Sequence, residues 1–95
     1  MRIISKAAIR EFTATQPEAV EPLMHWYQIA KLATWNSIGA VRLDFPHADA
    51  VGIFTVFNIA GNKYRLITVI KYLWQVVYIR AILTHQQYNR GRWKQ

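Results

Sequence analysis

The chain has 95 residues, which leaves room for one domain over residues 1–95 and excludes a second folded unit. Hydrophobic residues make up 53% of it, enough for a buried core, and the absence of cysteine excludes disulfides, thiolate zinc sites and a cysteine nucleophile. No apolar stretch approaches the ~20 residues of a membrane span, and residues 1–6 lack the apolar run of a secretory signal. We therefore expect a cytoplasmic protein that is not inserted in a membrane.

The net charge of +7 lies entirely in the second half of the chain. Residues 1–49 carry five basic and five acidic residues, whereas residues 50–95 carry seven basic residues and no acidic one. A surface of one sign attracts polyanions such as nucleic acid, a ribosome or anionic lipid. Lipid fits least well, because no basic amphipathic helix accompanies the charge. A net positive charge can also serve only to keep a small protein soluble. That explanation does not account for the confinement of the charge to the second half of the chain.

The N-terminal half predicts a strand followed by three helices, over residues 2–5, 6–15, 19–34 and 38–44. Ser5 and Ser37 stand at the N-cap positions of the first and third helices. Residues 15–18, Thr-Gln-Pro-Glu, have the spacing of a capping box for the second helix. Pro46 ends the third helix, since the residue before a proline is disfavoured in helical geometry.

The C-terminal half is rich in Val, Ile, Tyr, Phe and Thr, and predicts three strands over residues 54–59, 63–71 and 74–84. The segments between them, residues 60–62 and 72–73, are short enough for hairpins. The first of these strands is a candidate exposed edge to which a partner or a second copy could add. The predicted fold class is α+β, with helices packed on one face of an antiparallel meander.

The predicted strand over residues 63–71 has two different faces. One is apolar enough to cover the helices, whereas the other carries Lys63 and Arg65 and is partly open. If residues 72–73 form a two-residue turn, Arg65 lies directly across from Arg80 on the next strand. Two arginines paired in this way destabilise a sheet unless an anion lies between them, so the pair is a candidate phosphate site. A register slip of one residue would place them on opposite faces.

His85 follows the last predicted strand, five residues after Arg80 and three before Tyr88. Cleaving RNA without a metal requires a base for the 2′-hydroxyl, cations for the phosphate charge and an acid for the leaving 5′-oxygen. His85, Tyr88 and the two arginines can fill these roles. No metal or cofactor is expected. His25 is interpreted as structural because it lies in the middle of the second helix beside Trp26, and His47 because it has no partner at metal-ligand spacing. A lone histidine at a strand end is also often structural.

Other chemistries find little support, since the sequence has no glycine-rich phosphate loop, no HExxH and no GxSxG motif. Three further basic residues of the second half extend the candidate RNA-binding surface, namely Lys71, Arg90 and Arg92. The tail over residues 90–94 interleaves basic groups with Trp93, which suits phosphate contact and base stacking. A frayed terminus has the same composition.

Several segments together resemble the HigB family of toxin–antitoxin toxins, within the RelE/ParE superfamily. They are FPHAD at 45–49, VFNIAGNKYRLI at 56–67, VYIR at 77–80 and THQQY at 84–88. The resemblance covers essentially the whole chain and implies a RelE/ParE-like fold. It also implies an mRNA interferase that in most members cuts messenger RNA at the ribosome. The implied partner is a HigA-type helix-turn-helix antitoxin.

The family residues carried over by position are Asn58, Asn62, Lys63, Arg65, Arg80, His85 and Tyr88. The resemblance implies that the two arginines hold the scissile phosphate, that the histidine or the tyrosine moves protons, and that the remaining three bind RNA. Many members have an acidic residue directly after the tyrosine, whereas this chain has Asn89, which puts an acid-assisted role there in doubt. Related ParE-type folds inhibit DNA gyrase and cut nothing, so two alternatives stay open. One is a non-catalytic inhibitor of a protein such as gyrase, and the other is a plain RNA- or ribosome-binding module.

Overall fold

The computed structural model describes residues 1–94 and has the predicted α+β class. Over these residues the α-helices and strands follow in the order β1 (Arg2–Ile4), α1 (Lys6–Thr15), α2 (Val20–Leu32), α3 (Ile38–Asp44), β2 (Asp49–Val51), β3 (Phe54–Ile59), β4 (Tyr64–Lys71), β5 (Val76–Thr84) and α4 (His85–Asn89). Short 3-10 helices lie at Pro17–Ala19 and Arg92–Lys94. Within this described part, no helix combines the length and the apolar composition needed to cross a bilayer.

The two predicted N-cap serines stand where they were expected. Ser37 caps α3, with its hydroxyl oxygen accepting a hydrogen bond from the Ala40 amide at 3.2 Å. Ser5 precedes α1 in extended geometry, but its side chain makes no capping hydrogen bond. α3 ends at Asp44, shortly before Pro46, as the proline predicted.

The capping box predicted at residues 15–18 is wrong. Thr15 is the last residue of α1, and its hydroxyl donates to the Phe12 carbonyl at 3.2 Å within the same helix. Pro17 then opens a 3-10 helix that separates α1 from α2. Glu18 instead accepts a hydrogen bond from the Tyr64 hydroxyl at 2.7 Å.

The strands form one sheet in the order β1-β5-β4-β3-β2. β1 runs parallel to β5, and the other neighbouring strands are antiparallel. β2 was not predicted, because it has three residues and begins with Asp49, a residue type depleted in strands. Since β2 pairs with β3, the expectation that residues 54–59 form an exposed edge is wrong. The edges of the sheet are β1 and β2.

The β4–β5 connection is longer than the two-residue turn predicted at residues 72–73. It spans residues 72–75 and ends at Gln75, which adopts a left-handed backbone with φ +57°. The side chain of Gln75 donates hydrogen bonds to the carbonyls of Tyr72 at 2.9 Å and Trp35 at 2.7 Å. These bonds offset the cost of a conformation that a glycine would adopt more easily.

The longer turn changes the register between β4 and β5. Arg65 lies opposite Leu83, so the predicted pairing of Arg65 with Arg80 is wrong. A bulge between Ile67 and Thr68 leaves Arg80 as the extra residue of β5. Because an extra residue shifts the alternation of side chains, Arg80 still shares a face of the sheet with Arg65.

One face of the sheet, termed the helix face, is covered by α1, α2 and α3. Phe57 lies in its core, with its ring centroid 5.4 Å from that of Trp26, 6.1 Å from Trp35 and 5.2 Å from Phe45. Aromatic pairs of this kind contribute about 0.5 to 1.5 kcal/mol each beyond the area they bury. The main hydrophobic core of the protein is therefore on this face.

The opposite face, termed the open face, is covered in part by α4 and the 3-10 helix that follows it. Val56 and Ile67, paired across β3 and β4, are buried here. Trp93 packs edge-on against Phe54 with centroids 5.6 Å apart, and stacks on Tyr88 at 5.1 Å. The tail is thus folded onto the sheet, in contrast to a frayed terminus.

Candidate active site

Arg65 lines a pocket on the open face and is buried, with 9% of its surface exposed, although a partly open position was predicted. Its Nη1 donates hydrogen bonds to the carbonyl oxygens of Asn62 and Tyr64 at 3.1 and 3.3 Å, and its Nη2 donates to the side-chain oxygen of Asn62. The ring centroid of Tyr88 lies 5.1 Å from the guanidinium. These partners are neutral, so the guanidinium keeps a positive charge that a phosphate can neutralise.

The turn between β3 and β4 places Asn62 next to this guanidinium. Ala60 and Gly61 both adopt left-handed backbone, with φ of +55° and +68°. Glycine does so without steric cost, whereas an alanine there costs about 1 to 2 kcal/mol. The Lys63 amide closes the turn by donating to the Ala60 carbonyl at 3.3 Å. Asn62 and Lys63 are therefore presented together at one end of the open face.

α4 begins directly after β5, which sets the positions of His85 and Tyr88. The hydroxyl oxygen of Thr84 accepts from the Gln87 amide at 3.3 Å, and the Gln87 side-chain oxygen accepts from the Thr84 amide at 2.9 Å. This capping box makes His85 the first helical residue, and its amide donates to the Lys63 carbonyl at 3.0 Å. Tyr88 follows one helical turn later.

His85 is exposed and lines a cavity of about 490 Å³ together with Asn62 and Lys63. Its Nε2 lies 3.1 Å from the side-chain nitrogen of Asn89, a contact that orients the imidazole. Because the amide of Asn89 carries no charge, this residue can orient the imidazole of His85 but cannot act as a carboxylate. Because Asn62 also bonds Arg65, one side chain connects the histidine cavity to the guanidinium.

The Arg65 pocket, of about 370 Å³, contains three polar side chains that the sequence did not point to. Arg42, His47 and Asp49 all line it. The Nε of Arg42 donates to the Ala48 carbonyl at 3.0 Å, which ties α3 to the loop that carries the other two. The sequence predicts a structural role for His47 and assigns no role to Asp49.

The strand pairing contains the signal that would have placed Asp49 in this pocket. Asn58, a predicted site residue, pairs with Arg65 across β3 and β4 and lines the same pocket. Asp49 pairs with Val56, two residues before Asn58, and so lies on the same face of the sheet. Recognising β2 from the sequence would have placed Asp49 there.

Several predicted residues lie apart from Arg65. Arg80, Arg90 and Arg92 line a separate pocket of about 400 Å³ beside Trp93. Lys71 is the last residue of β4, six positions from Arg65. The structure groups Arg65 with Asn58, Asn62 and Tyr88, places His85 and Lys63 beside them, and leaves Arg80 and Lys71 outside this group.

A hydrogen-bonded pair borders the site on the helix face. The Tyr64 hydroxyl donates to Glu18 at 2.7 Å. This bond lowers the pKa of Glu18, with the nearby charge of Lys63 adding to the effect, and it raises the pKa of Tyr64, to which burial also contributes. The pair fastens the start of β4 to the segment between α1 and α2.

The groups that line the two cavities supply acid–base and electrostatic chemistry. They include the fixed guanidinium of Arg65, the imidazoles of His47 and His85, the carboxylate of Asp49 and the phenol of Tyr88, groups that can bind a phosphate or transfer protons. Over residues 1–94, no cluster of three or more His, Asp or Glu side chains is arranged to hold a metal ion.

A family model for HigB toxins, described as the RelE-like toxic component of a toxin-antitoxin system, matches residues 19–91. The chain belongs to this family. The match confirms the resemblance seen in the sequence motifs. Of the predicted site residues, it includes all except Arg92, which lies one position beyond its end.

Individual HigB proteins are similar to this chain along nearly their full length. The mRNA interferase HigB of Escherichia coli O6:H1 is 26% identical over 93 residues, which cover 95% of this chain and 90% of that protein. The mRNA interferase toxin HigB of Escherichia coli K12 and the mRNA interferase HigB of Shigella flexneri are each 23% identical over 92 residues. In both cases the aligned region covers 94% of this chain and 88% of the relative.

Proposed function

We propose that this member of the HigB family is an endoribonuclease that cleaves messenger RNA and thereby arrests translation. The observation that carries the proposal is the Arg65 guanidinium, held by Asn62 against Tyr88 and connected through Asn62 to the cavity of His85. A fixed cation that lies against a phenol, and that Asn62 connects to the cavity of a histidine, suits metal-independent RNA cleavage. The names of the relatives, all mRNA interferases, support the same substrate.

In the proposed reaction the RNA supplies its own nucleophile. A base takes the proton of a ribose 2′-hydroxyl, the 2′-oxygen bonds to phosphorus, and the bond from phosphorus to the 5′-oxygen breaks while an acid protonates that oxygen. The products are a 2′,3′-cyclic phosphate and a free 5′-hydroxyl. Arg65 stabilises the charge that develops on the phosphate oxygens. Of His85 and Tyr88, one takes the proton of the 2′-hydroxyl and the other protonates the 5′-oxygen.

The other polar residues guide the RNA strand. We assign Asn58, in the Arg65 pocket, and Lys63, in the His85 cavity, to the RNA on either side of the reacting phosphate. Arg80 lines a different pocket from Arg65, so we assign it to a neighbouring phosphate instead of the scissile one. Arg90 and Arg92, in the same pocket as Arg80, continue the basic path. Lys71, farther away on β4, contributes through its charge alone.

A toxic component acts together with an antitoxin. We assign the antitoxin to the HigA-type helix-turn-helix class and expect it to cover the basic open face with acidic residues. We also assign cleavage to messenger RNA on the ribosome, without a metal or an organic cofactor. A pull-down from the native host should recover an acidic or mixed-charge protein encoded beside this one, and recovery of none would contradict the pairing.

The experiment that tests the proposal is a cell-free translation reaction with a defined mRNA, in which primer extension maps the new 5′ ends. Wild type is compared with His85→Ala and with His25→Ala, which removes another exposed histidine, on α2. Parallel reactions contain naked mRNA with and without EDTA. We expect cuts with wild type and His25→Ala, and a loss of about 10²- to 10⁴-fold with His85→Ala.

The possible outcomes separate the alternatives. Cleavage by His85→Ala at the wild-type rate would show that the histidine has no catalytic role. Cleavage of naked mRNA in EDTA would support the nuclease activity but contradict its dependence on the ribosome. Intact mRNA throughout, combined with growth arrest in cells, would favour a non-catalytic inhibitor of a protein such as gyrase. Salt-sensitive RNA binding without cleavage or toxicity would favour a plain RNA-binding module.

A further inference from the structure

A further cavity lies on the open face, beside Phe54. It has a volume of about 640 Å³, and its mostly apolar wall includes Val51, Ile53, Phe54 and Val69. Tyr78, which pairs with Val69 across β4 and β5, is 42% exposed next to it. This cavity, termed the Phe54 groove, has no role in the reaction described for Arg65 and His85.

A tight hairpin turn forms one end of the Phe54 groove. Val51 pairs with Phe54, so Gly52 and Ile53 alone connect β2 to β3. Gly52 has a φ of +59°, which glycine adopts without strain at the first position of such a turn. The turn holds Ile53 at the rim of the groove with 75% of its surface exposed.

The surroundings of the Phe54 groove are basic. Arg80 and Lys94 line it, and Arg80 also lines the neighbouring pocket of Arg90 and Arg92. The linings of both cavities, as far as the described residues show, contain no Asp or Glu. Two adjoining cavities of about 400 and 640 Å³ therefore share one arginine and a positive potential.

A continuous row of contacts connects the candidate active site to this groove. Arg65 lies against Tyr88, Tyr88 stacks on Trp93, and Trp93 contacts Phe54. Proteins that bind single-stranded RNA combine cations for the backbone with aromatic and apolar surfaces for the bases. An acidic protein segment would satisfy the charge, but it would not require a series of cavities of nucleotide size connected by aromatic rings.

We propose that the Phe54 groove binds an unpaired base of the RNA that flanks the cleavage site, with Arg80 on the intervening phosphate. The inference rests on the proposed function and adds a substrate subsite to it. The apolar wall takes the face of the base, and the basic rim takes the backbone. Because stacking changes the affinity for a base by about tenfold or more, the nucleotide in this groove influences where and how fast the RNA is cut.

The test compares Ile53→Glu with the matched control Leu73→Glu. Both changes put a carboxylate into a hairpin turn at an exposed position, 75% exposed for Ile53 and 86% for Leu73, and Leu73 does not line the groove. Cleavage rates and the bases flanking each cut are measured by primer extension in cell-free translation. We expect Ile53→Glu to cut about tenfold more slowly, with an altered distribution of flanking bases, and Leu73→Glu to match wild type.

Each outcome decides the proposal. Equal rates and equal cut positions for the two variants overturn the subsite and leave the nuclease intact, whereas an absence of cleavage by wild type overturns both. If Ile53→Glu cleaves at the wild-type rate and positions but no longer binds the antitoxin, the groove belongs to a protein partner and the RNA subsite is overturned. Circular dichroism checks folding, and the uncharged Ile53→Ser replaces the glutamate variant if that one misfolds.

Discussion

The two faces of the sheet are stabilised in different ways. On the helix face, Trp26, Trp35, Phe45 and Phe57 pack ring against ring beneath three helices. On the open face, the buried Arg65 donates its hydrogen bonds to Asn62 and Tyr64. The ring of Tyr88 on α4 covers its guanidinium, and Trp93 of the following 3-10 helix stacks on Tyr88. Apolar burial on the helix face thus supports a charged, incompletely covered surface on the open face. Substitutions should therefore affect stability and cleavage separately.

The strongest challenge to this division is Phe57→Ala, in the middle of the helix face. Phe57 is 1% exposed and contacts three other aromatic rings, so its truncation leaves a cavity that the neighbours cannot fill. We expect the free energy of unfolding to fall by about 3 to 5 kcal/mol in urea denaturation. Leu32→Ala, at a position 84% exposed, is the control and should change it little. A loss below about 1 kcal/mol for Phe57→Ala would place the core elsewhere.

On the open face, Arg65→Lys should affect cleavage far more than folding. Lysine keeps the charge but cannot reproduce the forked hydrogen bonds to Asn62, so the cation is no longer fixed against the phosphate. We expect cleavage in the translation assay to fall about 10²-fold, while the far-UV circular dichroism stays unchanged. Arg10→Lys, on α1, is the matched control. Undiminished cleavage by Arg65→Lys would rule out this pocket as the phosphate site.

Trp93→Ala should loosen only the cover of the open face. It removes the stack on Tyr88, the contact with Phe54 and a hydrogen bond from Nε1 to the Tyr88 carbonyl at 3.1 Å. We expect the free energy of unfolding to fall by about 1 to 2 kcal/mol, and amide hydrogen exchange over residues 85–94 to become faster. Protection in the central strands should persist. Trp74→Ala, at a residue 74% exposed, serves as the control.

The smallest expected effect belongs to the bond between Tyr64 and Glu18. Because the folded pKa of Glu18 lies below its ordinary value of 4.5, the bond stabilises the protein fully above that pH, and the stabilisation is lost as the pH falls through the lowered pKa. At high pH it is lost again, when Tyr64 ionises above its raised pKa.

Urea denaturation of wild type and Glu18→Gln from pH 3 to pH 7 measures this contribution. The two proteins should differ slightly at neutral pH and converge in acid, since protonation removes from wild type the charge that the variant already lacks. A difference that grows toward low pH would show that Glu18 is bonded differently in solution.

Hydrophobic periodicity was sufficient to predict most of the fold. The predicted bounds of α1 and α3 agree with the structure, and those of α3 do so because Ser37 and Pro46 act locally. The errors arise from tertiary contacts. The β4–β5 turn depends on Gln75, whose left-handed backbone is supported by a hydrogen bond to the distant Trp35 carbonyl. β2 exists because it pairs with β3, and its own three residues carry no strand signal.

For the candidate site, strand alternation predicted the face that carries Arg65, and the family motifs pointed to Asn62 and Tyr88, since both signals depend on local sequence order. The grouping of these residues was only partly predictable. A β-bulge and a four-residue turn decide where Arg80 lies, and neither has a glycine or proline signal at the positions concerned. The contribution of Asp49 required knowledge of a strand that forms only by pairing. The sequence therefore indicated most of the residue types of the site, but it did not determine the register in which the strands pair.

The neutral partners of Arg65 also affect how this protein is handled in solution. A cation held by carbonyl and amide oxygens gains from any small anion that reaches it, and a ligand that binds only the native state raises stability in proportion to the logarithm of its concentration. Phosphate or sulfate in a buffer should therefore raise the melting temperature relative to a zwitterionic buffer at the same ionic strength. Comparisons among variants of the open face are meaningful only when the anion composition is held constant.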